Sequence, residues 1–379
     1  MATIVLRTRA FLGAVAASIL LVATMPSGAQ AVASPDPVDT VSLSGDVVYD
    51  LVVLDSGRVI VGGRFHAIGS YSRSNLAAIL PNGNADPDFA PRTDGQVRAI
   101  AVSEDGSRVF IGGTFTQVNG QPRHNLAAIN PRTGALVSGW RADTGGRNPT
   151  VSSLAVSGGR LYVGGNFHTI DGNAKQMLAA IDVGSGDIER WSTWVNAPVN
   201  EVRVTRDGDT VWIGGDFTKI RGIERPYFGA INASTGQPTS FSGRDSTSRV
   251  ITLTLSPDGR WVYTGHNDNR LNAYKVGSSE EPRWSRGMSG NVQAIAWTEN
   301  TIYLGGHFHS FRDDGVPRVF FAALRRYSGE TRSWNPKAEG FHKGVWSLDV
   351  HNGQLYAGGG FTKFDGVSQR LFAKFGGTA

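Results

Sequence analysis

The sequence predicts an all-β fold, and three observations carry the prediction. First, a glycine-glycine-aromatic motif recurs: VIVGGRF ends at Phe65, VFIGGTF at Phe115, LYVGGNF at Phe167, VWIGGDF at Phe217, IYLGGHF at Phe308 and LYAGGGF at Phe361. Second, these phenylalanines are spaced by 50, 52, 50, 91 and 53 residues, and the long step holds a worn copy, WVYTGHN at 261–267, that keeps Gly265 and lacks the aromatic. Third, short apolar runs alternate with turns rich in Gly, Pro, Asn and Asp, and 49 of the 379 residues are glycine. That is a pattern of strands and hairpins, not helices. Self-similarity at this period signals a propeller or a solenoid.

Each unit divides into four strand-like segments. In the second these are VRAIAVS (97–103), RVFIGGTF (108–115), NLAAIN (125–130) and LVSGW (136–140), separated by a turn at 104–106, a polar loop and a second turn. Four antiparallel strands in each of seven units predict a seven-bladed β-propeller. An open solenoid would need capping repeats, and the sequence has none. The last unit stops after its third strand, RLFAKFGG (370–377). TVSLSGD (40–46) is therefore expected to supply the missing outer strand of the last blade and to remove its free edge. The propeller then spans 40–377, with 32–39 as a linker and the degenerate motif at 264–267. The motif phenylalanines are expected to wedge between blades. The aromatics near each outer strand (Phe89, Trp140, Trp191 or Trp194, Phe241, Trp284, Trp334) are expected to pack them. The glycines mark a place where strands or blades approach too closely for a Cβ.

Residues 1–31 differ from the rest. Arg7 and Arg9 precede the apolar run 10–24 and the small residues GAQA, the pattern of a secretory signal peptide cleaved near Ala31 or Ala33. A secreted, extracellular chain without a membrane span is expected. The absence of cysteine excludes disulfides, thiolate metal sites and a cysteine nucleophile. Net charge is +5; without residues 1–31, which hold Arg7 and Arg9 and no acidic residue, it is +3. That is too weak and dispersed for nucleic acid. There is no H-E-x-x-H, G-x-S-x-G, P-loop or dinucleotide fingerprint. SPDGRW (256–261) resembles a sialidase Asp box but lacks the residue between Asp and Gly, and reads as a hairpin turn. No cofactor is implied, and a monomer is expected.

Three rings of residues at equivalent positions are candidates for ligand binding. The variable residue of the motif is Arg64, Thr114, Asn166, Asp216, His307 and Gly360; variation on a fixed frame suits recognition. The residue after the phenylalanine is His66, Thr116, His168, Thr218, His309 and Thr362, and both types hydrogen-bond at a strand end. His307 and His309, with Asp313 and Asp314 following, are the ligand types of a divalent metal, but no further His arrives at matching spacing and no metal site is assigned. The third ring, Arg73, Arg123, Lys175, Arg225 and Arg318, with Arg370 one place closer, suits an anionic ligand or, more simply, loop carbonyls and carboxylates nearby.

The unit GGxF-[TH]-x-[IV]-x-G-x-x-R-x-x-L-A-x-I, with a later Gly and Trp, resembles the delta-60-type repeat of secreted and surface bacterial β-propellers, and LPNGNADPDFAP (80–91) resembles that repeat's linker. A weaker similarity runs to the propeller ectodomains of fungal cortical polarity-marker proteins. The resemblance implies a propeller at the cell exterior and no settled activity. The expected function is a binding or scaffold module for a cell-envelope glycan or protein. The alternative is a polysaccharide hydrolase or lyase with its site over the channel mouth.

Overall fold

The apolar alternation around each glycine pair builds one ladder, repeated. A computed structural model describes residues 32–243, 248–277 and 281–377; the expected signal peptide lies outside them. Every regular element among the described residues is a β-strand, and every strand pair is antiparallel. No helix among them is long and apolar enough to cross a membrane. In the second unit Val97–Val102 pairs with Val109–Gly113, which pairs with Leu126–Ile129. The same three-strand order recurs seven times among the described residues.

The first, inner strands pack in succession. Leu43–Val53 packs on Val97–Val102, and Thr150–Ser157, Val199–Val204, Val250–Leu255, Val292–Trp297 and Ala338–His351 follow. Ala338–His351 packs back on Leu43–Val53. The core lies between consecutive sheets. One such layer joins Phe110 and Trp140 to Leu154, Val163 and Phe167 of the next unit. The motif phenylalanines are buried, as are Phe89, Trp140, Trp191 and Trp334, whereas Trp194 is exposed. The tryptophans also reach forward: Trp140 Nε1 donates to Asp182 O at 3.3 Å and Trp191 Nε1 to Asn232 O at 3.4 Å.

The glycines explain the spacing of the sheets. A Cβ on the first glycine of a pair would strike the inner strand of the next unit. At Gly164 it would lie 2.7 Å from Val199 and 2.6 Å from Val202, and at Gly358 it would lie 2.5 Å from Val48 of the first unit. A Cβ on the second glycine would strike the carbonyl of its own inner strand, as Gly165 would strike Thr150 O. The second glycine is also tied across the loop. Gly165 N donates to Met177 O at 3.1 Å, and Met177 N donates to Phe167 O at 2.9 Å. Met177 holds φ +63°, and Asn75, Asn125, Tyr227, Phe320 and Leu371 repeat this conformation.

Three expectations change. The outer strand of the last unit is Pro37–Val38, paired with Phe375 and Lys374, and not 40–46. Leu43 is fully buried opposite Ile68 and belongs to an inner strand. Pro37, without an N–H, suits an edge. Ser34 extends this edge through Gly376 O at 2.7 Å and accepts from Trp334 Nε1 at 3.1 Å. The fifth motif shifts by one residue: Thr252 pairs with Gly265 and Val250 with His266, so Gly265 is the first glycine and His266 stands for the second. His266 is buried, bonds Thr264 Oγ1 at 2.7 Å, and is held below the usual imidazole range by burial. Finally, the outer segment is a ladder strand in the fourth, fifth and last units, Pro238–Ser242, Trp284–Gly287 and Pro37–Val38, but a single bridge in the others, such as Ile129 to Leu136. In the first four units and the sixth its carbonyls also accept from the basic residue of the same unit.

Gly164→Ala should therefore cost about 1–3 kcal/mol by overpacking, whereas Gly139→Ala, exposed with nothing near its added Cβ, should stay within about 0.5 kcal/mol of the parent. Urea denaturation midpoints check both; equal effects would contradict the contact between units.

Candidate functional site

All seven inner strands line one cavity of about 760 Å³. Each of these strands breaks register with its neighbour at one residue opposite the glycine pair, or opposite Gly265 and His266 in the fifth unit. The residues left out of the ladder are Tyr49, Arg98, Ser152, Asn200, Ile251, Gln293 and Trp346. Such a bulge re-aims a side chain, and all seven of these residues line the cavity. The residue after each bulge is Asp50, Ala99, Ser153, Glu201, Thr252, Ala294 or Ser347, small or hydroxylated except at two carboxylates.

Those two carboxylates join neighbouring units. Asp50 Oδ2 accepts Ile100 N of the second unit at 2.7 Å, and its Oδ1 accepts Ser347 Oγ of the seventh at 3.0 Å and Leu51 N at 2.8 Å. Glu201 Oε1 accepts Ser153 Oγ of the third unit at 2.7 Å and pairs with Arg203; its Oε2 accepts Thr252 Oγ1 of the fifth at 3.4 Å. Burial pushes the Asp50 carboxyl up to about 7 against the Ile100 hydrogen bond and the pull of Arg203, with Glu201 adding to the rise. Burial also raises Glu201, which Arg203 opposes, and Asp349, whose carboxylate accepts Val53 N at 3.4 Å.

One arc of the cavity is aromatic. The Tyr49 and Trp346 rings meet edge to face at 5.4 Å, and the Arg98 guanidinium lies 5.0 Å from the Tyr49 ring centroid. Arg98 Nη2 donates to Gln96 Oε1 at 3.3 Å, and among the described residues no carboxylate pairs with Arg98. Arg98 Nε, Trp346 Nε1, Asn291 Oδ1 and Gln293 Oε1 are buried without a hydrogen-bond partner.

Of the residues singled out by sequence, Asp216 alone lines the described cavity. Asp216 accepts Asn200 Nδ2 at 3.0 Å and lies 3.7 Å from Arg249. Arg64 pairs with Asp46, as does Lys343. Asn166 Nδ2 donates to Asn148 O at 3.3 Å. His307 is half-buried and its N–H donates to Asn291 O at 2.9 Å. His66, His168 and His309 are exposed, and their carbonyls accept the backbone N–H of Arg73, Lys175 and Arg318 at 2.8–2.9 Å. The His309 ring lies 5.6 Å from Phe320, and Asp313 and Asp314 both pair with Arg286.

The basic ring ties each loop to its outer segment. Arg73 donates to Phe89 O at 2.8 Å and Pro87 O at 2.9 Å, Arg123 to Ser138 O at 3.0 Å, and Lys175 to Glu189 O and Trp191 O at 3.4 Å. Arg225 donates to Thr239 O at 3.0 Å and Arg318 to Arg332 O at 2.7 Å. In the last unit this place belongs to Gln369, which donates to Phe372 O at 2.7 Å, and not to Arg370. The bulge residues escaped sequence reading, although a signal existed. Aligning the inner strands as VVYDLVV, QVRAIAV, TVSSLAV, PVNEVRV, RVITLTL, NVQAIAW and GVWSLDV places one variable residue after an invariant valine in every unit.

Repeated antiparallel sheets whose inner strands line one cavity are the arrangement of a β-propeller. Residues 55–89 match the model of a β-propeller domain of unknown function, DUF5122. No curated protein matches the chain.

The Asp50 geometry fixes a pH dependence. The folded carboxyl keeps its proton to about pH 7, the unfolded one to its ordinary 3.8. Between these values the folded state binds more protons, so stability falls as pH rises. Asp50→Asn should remove that component. The stability difference between parent and variant should change by up to about 1.4 kcal/mol per pH unit across this window. A flat difference in denaturant titrations from pH 4 to 7 would show that burial does not hold the proton.

Proposed function

We propose that the chain is a secreted, seven-bladed β-propeller of the delta-60-repeat kind that binds a cell-envelope component at one mouth of its central channel. One observation carries the reading: seven positions of equal geometry line one cavity, and each bears a different residue type, Tyr49, Arg98, Ser152, Asn200, Ile251, Gln293 and Trp346. Frame residues repeat; these do not. A rigid ring with diversified inward side chains suits recognition. Ring closure is supported by packing of Ala338–His351 on Leu43–Val53 and by the Pro37–Val38 ladder on Phe372–Phe375. Secretion rests on the leader-like residues 1–31.

A hydrolase or lyase at the same mouth is the weaker reading. Its best acid and base, Asp50 and Glu201, each have both oxygens engaged by neighbouring strands.

The test is capture of envelope fractions by the mature chain, residues 34–379, beside a variant with Tyr49, Gln293 and Trp346 changed to Ala and verified as folded by its thermal transition. The reading expects a component retained by the parent and lost by the variant. Equal retention by both, or none by either, would overturn it.

A further inference from the structure

The arc from Trp346 through Tyr49 to Arg98 has a chemistry more specific than binding in general. Three consecutive units contribute it, from equivalent bulges, so its geometry is fixed by the frame and not by mobile loops. The aromatic pair offers an apolar platform, with an edge-to-face contact at 5.4 Å leaving ring surface toward the cavity that both residues line. Apolar C–H faces of a pyranose stack on such rings. Arg98, Asn291 and Gln293 line the same cavity as the platform; two donors, Trp346 Nε1 and Arg98 Nε, and two acceptors, Asn291 Oδ1 and Gln293 Oε1, lack a partner and are closed to solvent, so a ligand meets them as these side chains turn toward the cavity. Gln293 is 7% exposed and lines the cavity. A buried polar atom left unpaired costs about 1–3 kcal/mol, and a ligand that both donates and accepts relieves it. Arg98 adds a positive charge that no carboxylate among the described residues pairs, and a guanidinium is matched by a carboxylate in two parallel hydrogen bonds.

Resting on the binding-module reading, we propose that this arc is a subsite for an acidic sugar, a pyranose ring bearing a carboxylate. The ring stacks on Trp346 and Tyr49. Its carboxylate accepts from Arg98. Its hydroxyls donate to Gln293 and Asn291 and accept from Trp346.

The test is calorimetric titration of the mature chain with tetrasaccharides of glucuronic, galacturonic, mannuronic and guluronic acid, each beside its neutral hexose counterpart, and with acetate and inorganic phosphate. At least one uronate is expected to bind at least tenfold more tightly than its neutral counterpart. Arg98→Ala should weaken that uronate at least tenfold and remove the preference over the neutral sugar. Trp346→Phe, which keeps a ring and loses Nε1, should weaken both sugars alike by several-fold. Thermal transitions of both variants should match the parent; should Arg98→Ala unfold, Arg98→Gln serves the same purpose. Equal binding of acid and neutral sugars, binding of acetate or phosphate as tight as the uronate, or no uronate binding would each overturn the proposal. Envelope capture that survives Arg98→Ala and excess uronate would sink the acidic-sugar subsite while leaving the binding module standing. Absence of both capture and uronate binding would sink both.

Discussion

The close approach of consecutive units at the glycine pairs is the constraint on which the rest depends. A hydrogen in place of a Cβ lets the second strand of one unit lie against the inner valine of the next, from Gly62 on Val97 at 2.6 Å to Gly358 on Val48 at 2.5 Å. The second glycine lets the same strand press on its own inner strand, and there the ladder breaks register. The first glycine thus sets sheet spacing, and the bulge lies opposite it in every unit, including the fifth, where His266 takes the second place. The bulge turns one side chain per unit into the cavity. Architecture and candidate recognition surface meet at the same ladder position.

Polar groups serve the frame in two different ways. The recurring cations hold loops to outer segments within a unit, through carbonyls such as Phe89 O and Ser138 O. The two cavity carboxylates act between units: Asp50 reaches the second and the seventh, Glu201 the third and the fifth. Both are raised by burial, since the cavity gives them less water than the surface would. Arg98, Trp346 and Gln293 differ from the frame cations by place: they line the cavity, whereas Arg123, Arg225 and Arg318, which also leave Nε unpaired, are tied to outer segments.

Much of the fold was legible because it repeats. Period, strand order within a unit and burial of Phe115, Phe167 and Trp140 follow from apolar patterning seen six times over. The site was less legible because a bulge leaves no residue-type signature: Arg98 in VRAIAV reads as an outward residue of a regular strand until its ladder partner is known. The loop residues drew attention for their chemistry, yet Arg73 and Arg318 bond carbonyls 14 residues onward, contacts that spacing alone does not reveal. The closing edge strand is two residues long, Pro37–Val38, too short for alternation to mark. The fifth motif misled by one residue because His266 fills a place that glycine holds elsewhere.

The first and last units meet through the same glycine–valine contact as their neighbours, Gly358 against Val48. A double-mutant cycle between Gly358→Ala and Val48→Ala tests it most directly, by denaturant unfolding of the four proteins. Trimming Val48 makes room for the added methyl, so the double variant should be more stable than the sum of the singles by about 1 kcal/mol or more. Additivity within about 0.5 kcal/mol would mean that the ends of the chain do not meet there.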